Sequence, residues 1–258
     1  MAAARDDQGA YVYGVASAGV STDGWSNGVE DQPVELVTRG DLAAIVSAAP
    51  PGEIRGNRRN MMAHTRVLQD AVREGCVLPM RFGVVMPSHE AVRGELLDVH
   101  GEQLLAQLAE FEKLVELDVK VLCAEEALLQ EVVAESPEIQ RRRERLEGRS
   151  PEATYYERIE LGELVAGAVA AKRERIAGLV LERLGRVAER AETGEPLHDM
   201  MVANVAFLVE RPRVPDMDDA VGALEKELGP DCSVRYVGPL PPYNFAGLDS
   251  SAEAGAWA

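Results

Sequence analysis

Cysteine, histidine and aromatic residues are scarce in this chain, and each shortage removes a class of chemistry. The three cysteines, Cys76, Cys123 and Cys232, are too few and too scattered for a disulfide framework, and none belongs to a C-x-x-C pair. Each sits in or beside an apolar run (CVLPM, KVLCA, DCSVRYV), so all three read as buried, inert thiols. The four histidines, His64, His89, His100 and His198, are far apart and never at i, i+4 on one helix. The string Glu195-Pro196-Leu197-His198 falls on a helix breaker without a second histidine pair, so no metal centre is expected. No G-x-x-x-x-G-K-[ST], G-x-G-x-x-G or G-x-S-x-G occurs, which removes the phosphate loop, the dinucleotide fingerprint and the nucleophile elbow. The expectation is a protein without a cofactor that is not an enzyme.

Long apolar runs are also missing. None reaches the roughly 18 residues needed to cross a bilayer, and the start MAAARDDQGA has no apolar core of a signal peptide, so a cytoplasmic protein with no membrane partner is expected. Positive charge is short as well. With 27 basic against 44 acidic residues the formal net charge is −17, which argues against a phosphate-backbone partner. An RRM-like nucleic-acid binder is further disfavoured because no RNP-type aromatic run is present. The imbalance is local: residues 138–195 hold 12 acidic and 12 basic residues, so the other 32 acidic and 15 basic residues carry the whole −17. Partner selection by charge should therefore differ between that segment and the rest.

What is present reads as an α+β protein. Residues 11–18 read as a strand followed by loop chemistry through Gly28, in which Trp25 is either a contact residue or an aromatic tucked onto the domain. Two apolar-rich runs, 34–39 and 42–48, flank Gly40-Asp41, a hairpin signal. A helix over 58–73 carries Met61, Met62, Val67, Leu68, Ala71 and Val72 on one face and closes at Gly75. A strand over 77–85 is interrupted by Pro79. Ser88 starts a helix toward Leu114 with Leu96, Leu97, Leu104, Leu105, Leu108 and Phe111 as its stripe. A strand over 117–123 marks the boundary between an N-terminal domain, 1–115, and a C-terminal one, 116–258.

The C-terminal domain opens with a helical arm over 136–192. Ser136-Pro137-Glu138 and Ser150-Pro151-Glu152 both read as helix starts, with an N-cap acceptor, proline at N1 and an acid near the positive helix end. From Pro151 to about Ala191, apolar residues recur at helical spacing, a rod of roughly 60 Å that must project, bend or pair as a coiled-coil-like arm. A strand over 200–209, a helix over 216–228 and a last strand over 233–238 complete the lobe. Gly238-Pro239 ends that strand, and Pro241-Pro242 leads a stiff extended arm carrying Tyr243 and Phe245. Such an arm either packs on its own domain or docks a partner.

Three stretches carry a resemblance. The C-terminal Val237-Gly238-Pro239-Leu240-Pro241-Pro242-Tyr243-Asn244-Phe245-Ala246, the internal Leu78-Pro79-Met80-Arg81-Phe82-Gly83 and the first strand Tyr11-Val12-Tyr13-Gly14-Val15 together resemble the gas vesicle protein F/L family, in order and over almost the whole chain. The resemblance implies ferredoxin-like arrangements in both lobes. It also implies an accessory or minor structural protein, without catalysis, that associates with the small apolar major shell protein and with other gas vesicle accessory proteins at the vesicle.

The residues themselves offer few sites. Leu161, Val165, Ala168, Leu179 and Leu184 on the long helix, with Tyr243 and Phe245, are the candidate partner-binding residues; the helix positions can equally pack within the chain. Arg81 is the most enzyme-like single residue, a cation within an apolar strand that would grip a carboxylate or phosphate in a ligand-sensing or catalytic alternative, or pair internally to fix the strand. Arg141-Arg142-Arg143 with Arg145 looks like a basic patch, but consecutive residues fan out around a helix and Glu138, Glu144 and Glu147 stand near, so it reads as a solvated face.

Overall fold

The computed structural model describes residues 9–50, 52, 54–198 and 200–247. They divide into two units, the first made of residues up to 117 together with those from 238 on, the second of 118–237. The segment from Gly238 thus lies with the first unit, whereas the sequence reading gives all of 116–258 to one domain. Close approach explains it: a Cβ at Gly238 would run into the Leu117 side chain and the Glu116 carbonyl.

In the first unit β1 (Ala10–Ser17), β2 (Val34–Arg39) and β3 (Leu42–Ala48) precede α1 (Arg58–Glu74), β4 (Val77–Pro79) and β5 (Val85–Met86). The sheet order is β2-β3-β1-β4, with β5 also on β1, and these pairings are antiparallel. This is a ferredoxin-like strand order in which the first crossover is a loop with a 3₁₀ turn, Val29–Asp31, instead of a helix. The Gly40-Asp41 hairpin forms as expected, Gly40 taking φ 56 and Arg39 facing Leu42. β1 is central and buried along seven of its eight residues. Its register slips at Tyr13, between Val12 and Gly14, and a Cβ at Gly14 would press on the Leu78 carbonyl of β4.

Helix α1 matches its expected span, and the Asn57 side chain caps it by accepting from Asn60 N at 2.9 Å. Its buried face differs, however. Asn60, His64, Val67, Leu68, Ala71 and Val72 face inward, while Met61 and Met62 are exposed. After β5, Ser88 caps α2 (His89–Ala91), which runs into a π-helical stretch, Val92–Asp98, and then α3 (Gly101–Phe111). The expected single helix is therefore broken before Gly101, and Leu105 faces out while Leu104, Leu108 and Phe111 are buried.

β6 (Leu114–Cys123) leads into the second unit, followed by α4 (Glu125–Glu135), α5 (Pro137–Leu146), α6 (Tyr155–Leu184), β7 (Arg190–Thr193), β8 (Met201–Glu210), α7 (Val214–Leu228) and β9 (Cys232–Leu240). The order β7-β8-β6-β9 is again ferredoxin-like, with three helices filling the first crossover. The long helix starts at Tyr155, not Pro151, because residues 151–154 form a turn in which Thr154 Oγ1 donates to the Ser150 carbonyl at 2.9 Å. It ends at Leu184, so its 30 residues span about 45 Å. β7 was not expected, since its four residues are all exposed and carry no apolar pattern; pairing with β8 alone makes it a strand.

The cysteine expectation is corrected here. Cys123 ends β6 and Cys232 begins β9, neighbouring strands, and the two are joined in a disulfide across 109 residues of sequence. Spacing along the chain cannot reveal a pair that only strand order brings together. Cys76 takes no part in this bridge and is partly exposed.

Candidate partner-binding surface

The helical arm of the second unit is held by its own apolar stripe. Ser136 Oγ accepts from Ile139 N at 3.3 Å and caps α5, and Gln140 Nε2 donates to the Val133 and Ala134 carbonyls at 2.9 and 3.0 Å, joining α5 to the end of α4. Val132, Ile139 and Val169 then form a buried cluster, with Leu161, Leu164, Val165 and Ala168 packed on it. Leu161, Val165 and Ala168 thus face α4 and α5, Leu179 is half-buried, and Leu184 is 0% exposed. The stripe looks available on an isolated rod; the preceding helices fold back and cover it.

Ion pairs rim this bundle. Lys172 Nζ reaches Glu131 at 2.5 Å and Glu135 at 2.7 Å, Arg142 reaches Glu138 and Glu160, and Arg149 reaches Glu157 at 2.8 Å. The hydrogen bond from Lys172 holds the Glu135 carboxyl below the usual carboxylate range. Exposed pairs of this kind add little stability singly, but together they define which face of α6 meets α4 and α5. What remains outward is the start of α6. Tyr155 is 60% exposed, Tyr156 78% and Ile159 42%, and the two rings stand edge to face at 5.4 Å. Gly162, Ala166 and Ala170 continue this exposed apolar line at helical spacing. Reasoning from a single apolar stripe passed over these residues; the adjacent aromatic pair at the helix start was their signal.

The C-terminal aromatic arm lies on its own unit. Glu116 is fully buried and takes two hydrogen bonds from Asn244, one from the backbone N to Oε2 and one from Nδ2 to Oε1, both 2.8 Å. The Pro242 carbonyl accepts from Phe245 N and Ala246 N, which folds the segment into a turn. Gln107 holds the end, its Nε2 donating to the Gly247 carbonyl at 2.6 Å while its Oε1 accepts from Gly247 N at 3.2 Å. Tyr243 keeps 38% exposure and Phe245 is half-buried. Burial, and then the Glu116 charge, raise the Tyr243 hydroxyl above its ordinary pKa.

The MRFG segment proves to be a latch. The Met80 carbonyl can only accept, so His64 Nε2 carries the proton it donates there at 3.2 Å, and Nδ1 accepts from the Tyr11 hydroxyl at 2.9 Å. Tyr11 Oη in turn accepts from Gly83 N at 3.1 Å, and Phe82 packs edge-on against both Tyr11 and His64. Burial drives the His64 pKa down to about 4, so the ring is neutral near pH 7. Tyr13 Oη, beside them, accepts from Val29 N at 2.7 Å and is hydrogen-bonded to Ser47 Oγ; a side chain at Gly28 would occupy the hydroxyl's place. Arg81 is exposed and lies outside the strands, because Gly83 at φ 96 loops the chain out between β4 and β5. The expectation of a cation within a strand is corrected at this position: Arg81 faces solvent from a loop. His64 could have been found from its place on the inward face of α1, opposite a strand whose two alternate tyrosines need partners for their hydroxyls.

A family model described as gas vesicle synthesis protein GvpL/GvpF matches residues 9–247. The chain belongs to the GvpL/GvpF family. It is 39% identical over 240 residues to gas vesicle protein F of Streptomyces sp. (strain CB03234), covering 91% of this chain and 98% of that one. It is 28% identical to gas vesicle protein L of the same organism, covering 92% of both. The crystal structure of GvpF from Anabaena sp. PCC7120 superposes with a TM-score of 0.83 at 24% identity, covering 94% of this chain and 99% of that one, and so shares the fold. GvpL/GvpF membership gives the chain a role in gas vesicle formation. Among the described residues no group of three or more His, Cys, Asp or Glu side chains is placed to hold a metal ion, and no helix is long and apolar enough to cross a membrane.

Proposed function

We propose that this GvpL/GvpF member is a non-enzymatic accessory factor that associates with the small, apolar major shell protein, together with other gas vesicle accessory proteins, and assists assembly of the vesicle wall in the cytoplasm. The observation that carries this reading is the exposed aromatic and aliphatic start of α6, Tyr155, Tyr156 and Ile159, on a helix whose other face is already covered. Amphipathic aromatics are the residues most enriched where one protein grips another, and a line of small residues beyond them lets a client helix approach closely. The rest of the chain carries the excess negative charge, which keeps a complex with an apolar client in solution.

The test is capture of the shell protein by the full chain carrying Tyr155→Ser, Tyr156→Ser and Ile159→Ser together. Capture should fall by about tenfold or more, since truncating buried aromatic anchors commonly costs 2 kcal/mol or more. Parent-like capture by a variant with an unchanged circular dichroism spectrum would remove the reading.

A further inference from the structure

The cleft between α5 and α6 has a charge arrangement that the apolar surface does not explain. It encloses about 470 Å³, is floored by the buried Leu146, and is lined by the arginines at 141, 142, 145 and 149 and the glutamates at 138, 157 and 160. The three carboxylates are already committed. Glu138 and Glu160 pair with Arg142 at 3.0 and 3.5 Å, and Glu157 pairs with Arg149 at 2.8 Å. Arg141 and Arg145 are left without an ion pair among the described residues, one helical turn apart and both exposed along the same side of α5.

We propose that this cleft is a docking site for an acidic polypeptide segment of a partner, which sets two carboxylates about 6 Å apart onto the Arg141 and Arg145 guanidinium groups. Each guanidinium presents a planar fork of donors that matches a carboxylate in two parallel hydrogen bonds. Side chains at i and i+4 stand about one turn apart, so a partner helix with glutamates at the same spacing, or a strand with acids at alternate positions, meets both forks. In a chain of net charge −17 most of the surface repels such a segment, so uncommitted arginines on a charge-balanced arm fix where it lands. Nucleic acid is disfavoured because its phosphates run on past the two arginines over a chain of net charge −17. The inference rests on reading the helical arm as partner-facing and adds the chemistry of a second contact.

The probe is a fluorescein-labelled helix-forming peptide with glutamates at i, i+4 repeats, beside its glutamine counterpart, followed by anisotropy at low ionic strength. Full-length protein should bind the glutamate peptide, and the Arg141→Glu/Arg145→Glu variant should bind it about tenfold more weakly or less. The control Arg58→Glu/Arg59→Glu, the same charge change on α1, should bind like the parent. The inference is overturned if the parent fails to bind the glutamate peptide, binds the glutamine peptide equally well, or loses affinity as much in the control. Shell-protein capture measured on the same variants separates the two readings, because a failed peptide assay with capture that still depends on Tyr155, Tyr156 and Ile159 removes the cleft alone.

Discussion

Acidification should weaken the first unit through a single buried ring. His64 is 4% exposed, its Nδ1 already accepts from Tyr11 and its Nε2–H is already spent on the Met80 carbonyl, so a second ring proton would displace the Tyr11 hydroxyl hydrogen with no solvent to help. Its pKa falls from 6.5 to about 4 in the folded state. A base whose folded pKa is depressed leaves the unfolded chain holding more protons between the two values. Stability is therefore intact above pH 6.5 and is lost as pH falls toward 4. At about 1.4 kcal/mol per pH unit, the gap between these values amounts to roughly 3.5 kcal/mol, a sizeable part of the 5–15 kcal/mol typical of a folded protein. The measurement is urea unfolding by circular dichroism at a series of pH values, for the parent and for His64→Gln. Glutamine can still accept from Tyr11 or donate to Met80 but does not titrate. It should cost stability at pH 7, yet its stability should fall less steeply below pH 6.5, and all other groups titrate in both proteins. A difference in slope below about 0.3 kcal/mol per pH unit would refute the argument.

Glu116 and Asn244 should be energetically coupled. In a double-mutant cycle with Glu116→Gln and Asn244→Ala, a coupling of about 1–2 kcal/mol is expected from the hydrogen bond that Asn244 Nδ2 donates to the buried carboxylate, the backbone bond surviving in Asn244→Ala, and additive losses would show that this side chain does not hold the C-terminal turn. Thiol titration of the denatured, unreduced protein should find one reactive thiol, Cys76, and reduction should release two more from Cys123 and Cys232. Reduction should also lower the stability of the second unit by up to about 4–5 kcal/mol, since the bridge closes a loop of 109 residues; three thiols before reduction would contradict the pairing.

Much of the architecture was legible because local rules act over a few residues. The Gly40-Asp41 hairpin, the Ser88 and Ser136 caps, the Pro137 helix start and the α1 span follow from backbone preference and side-chain reach alone. The limits were equally physical. Proline at 151 signalled a helix start, but the turn tied by Thr154 to Ser150 delays it to Tyr155. Arg81 sits in an apolar run that reads as a strand, yet a glycine two residues on, at φ 96, turns the segment outward.

The order of amino acids by itself determined the α+β character and the charge asymmetry, which depend on periodicity and composition, while the short motifs carried the family resemblance and, through it, the expectation of ferredoxin-like lobes. Only the tertiary structure decided which apolar faces are covered and which long-range partners meet. His64 finds Tyr11 across 53 residues, Asn244 finds Glu116 across 128, and α4 and α5 take the stripe of α6 that a lone helix would offer to a client. Such meetings are set by strand order and by helices folding back on one another, and neither leaves a mark within the few residues over which sequence patterns can be read.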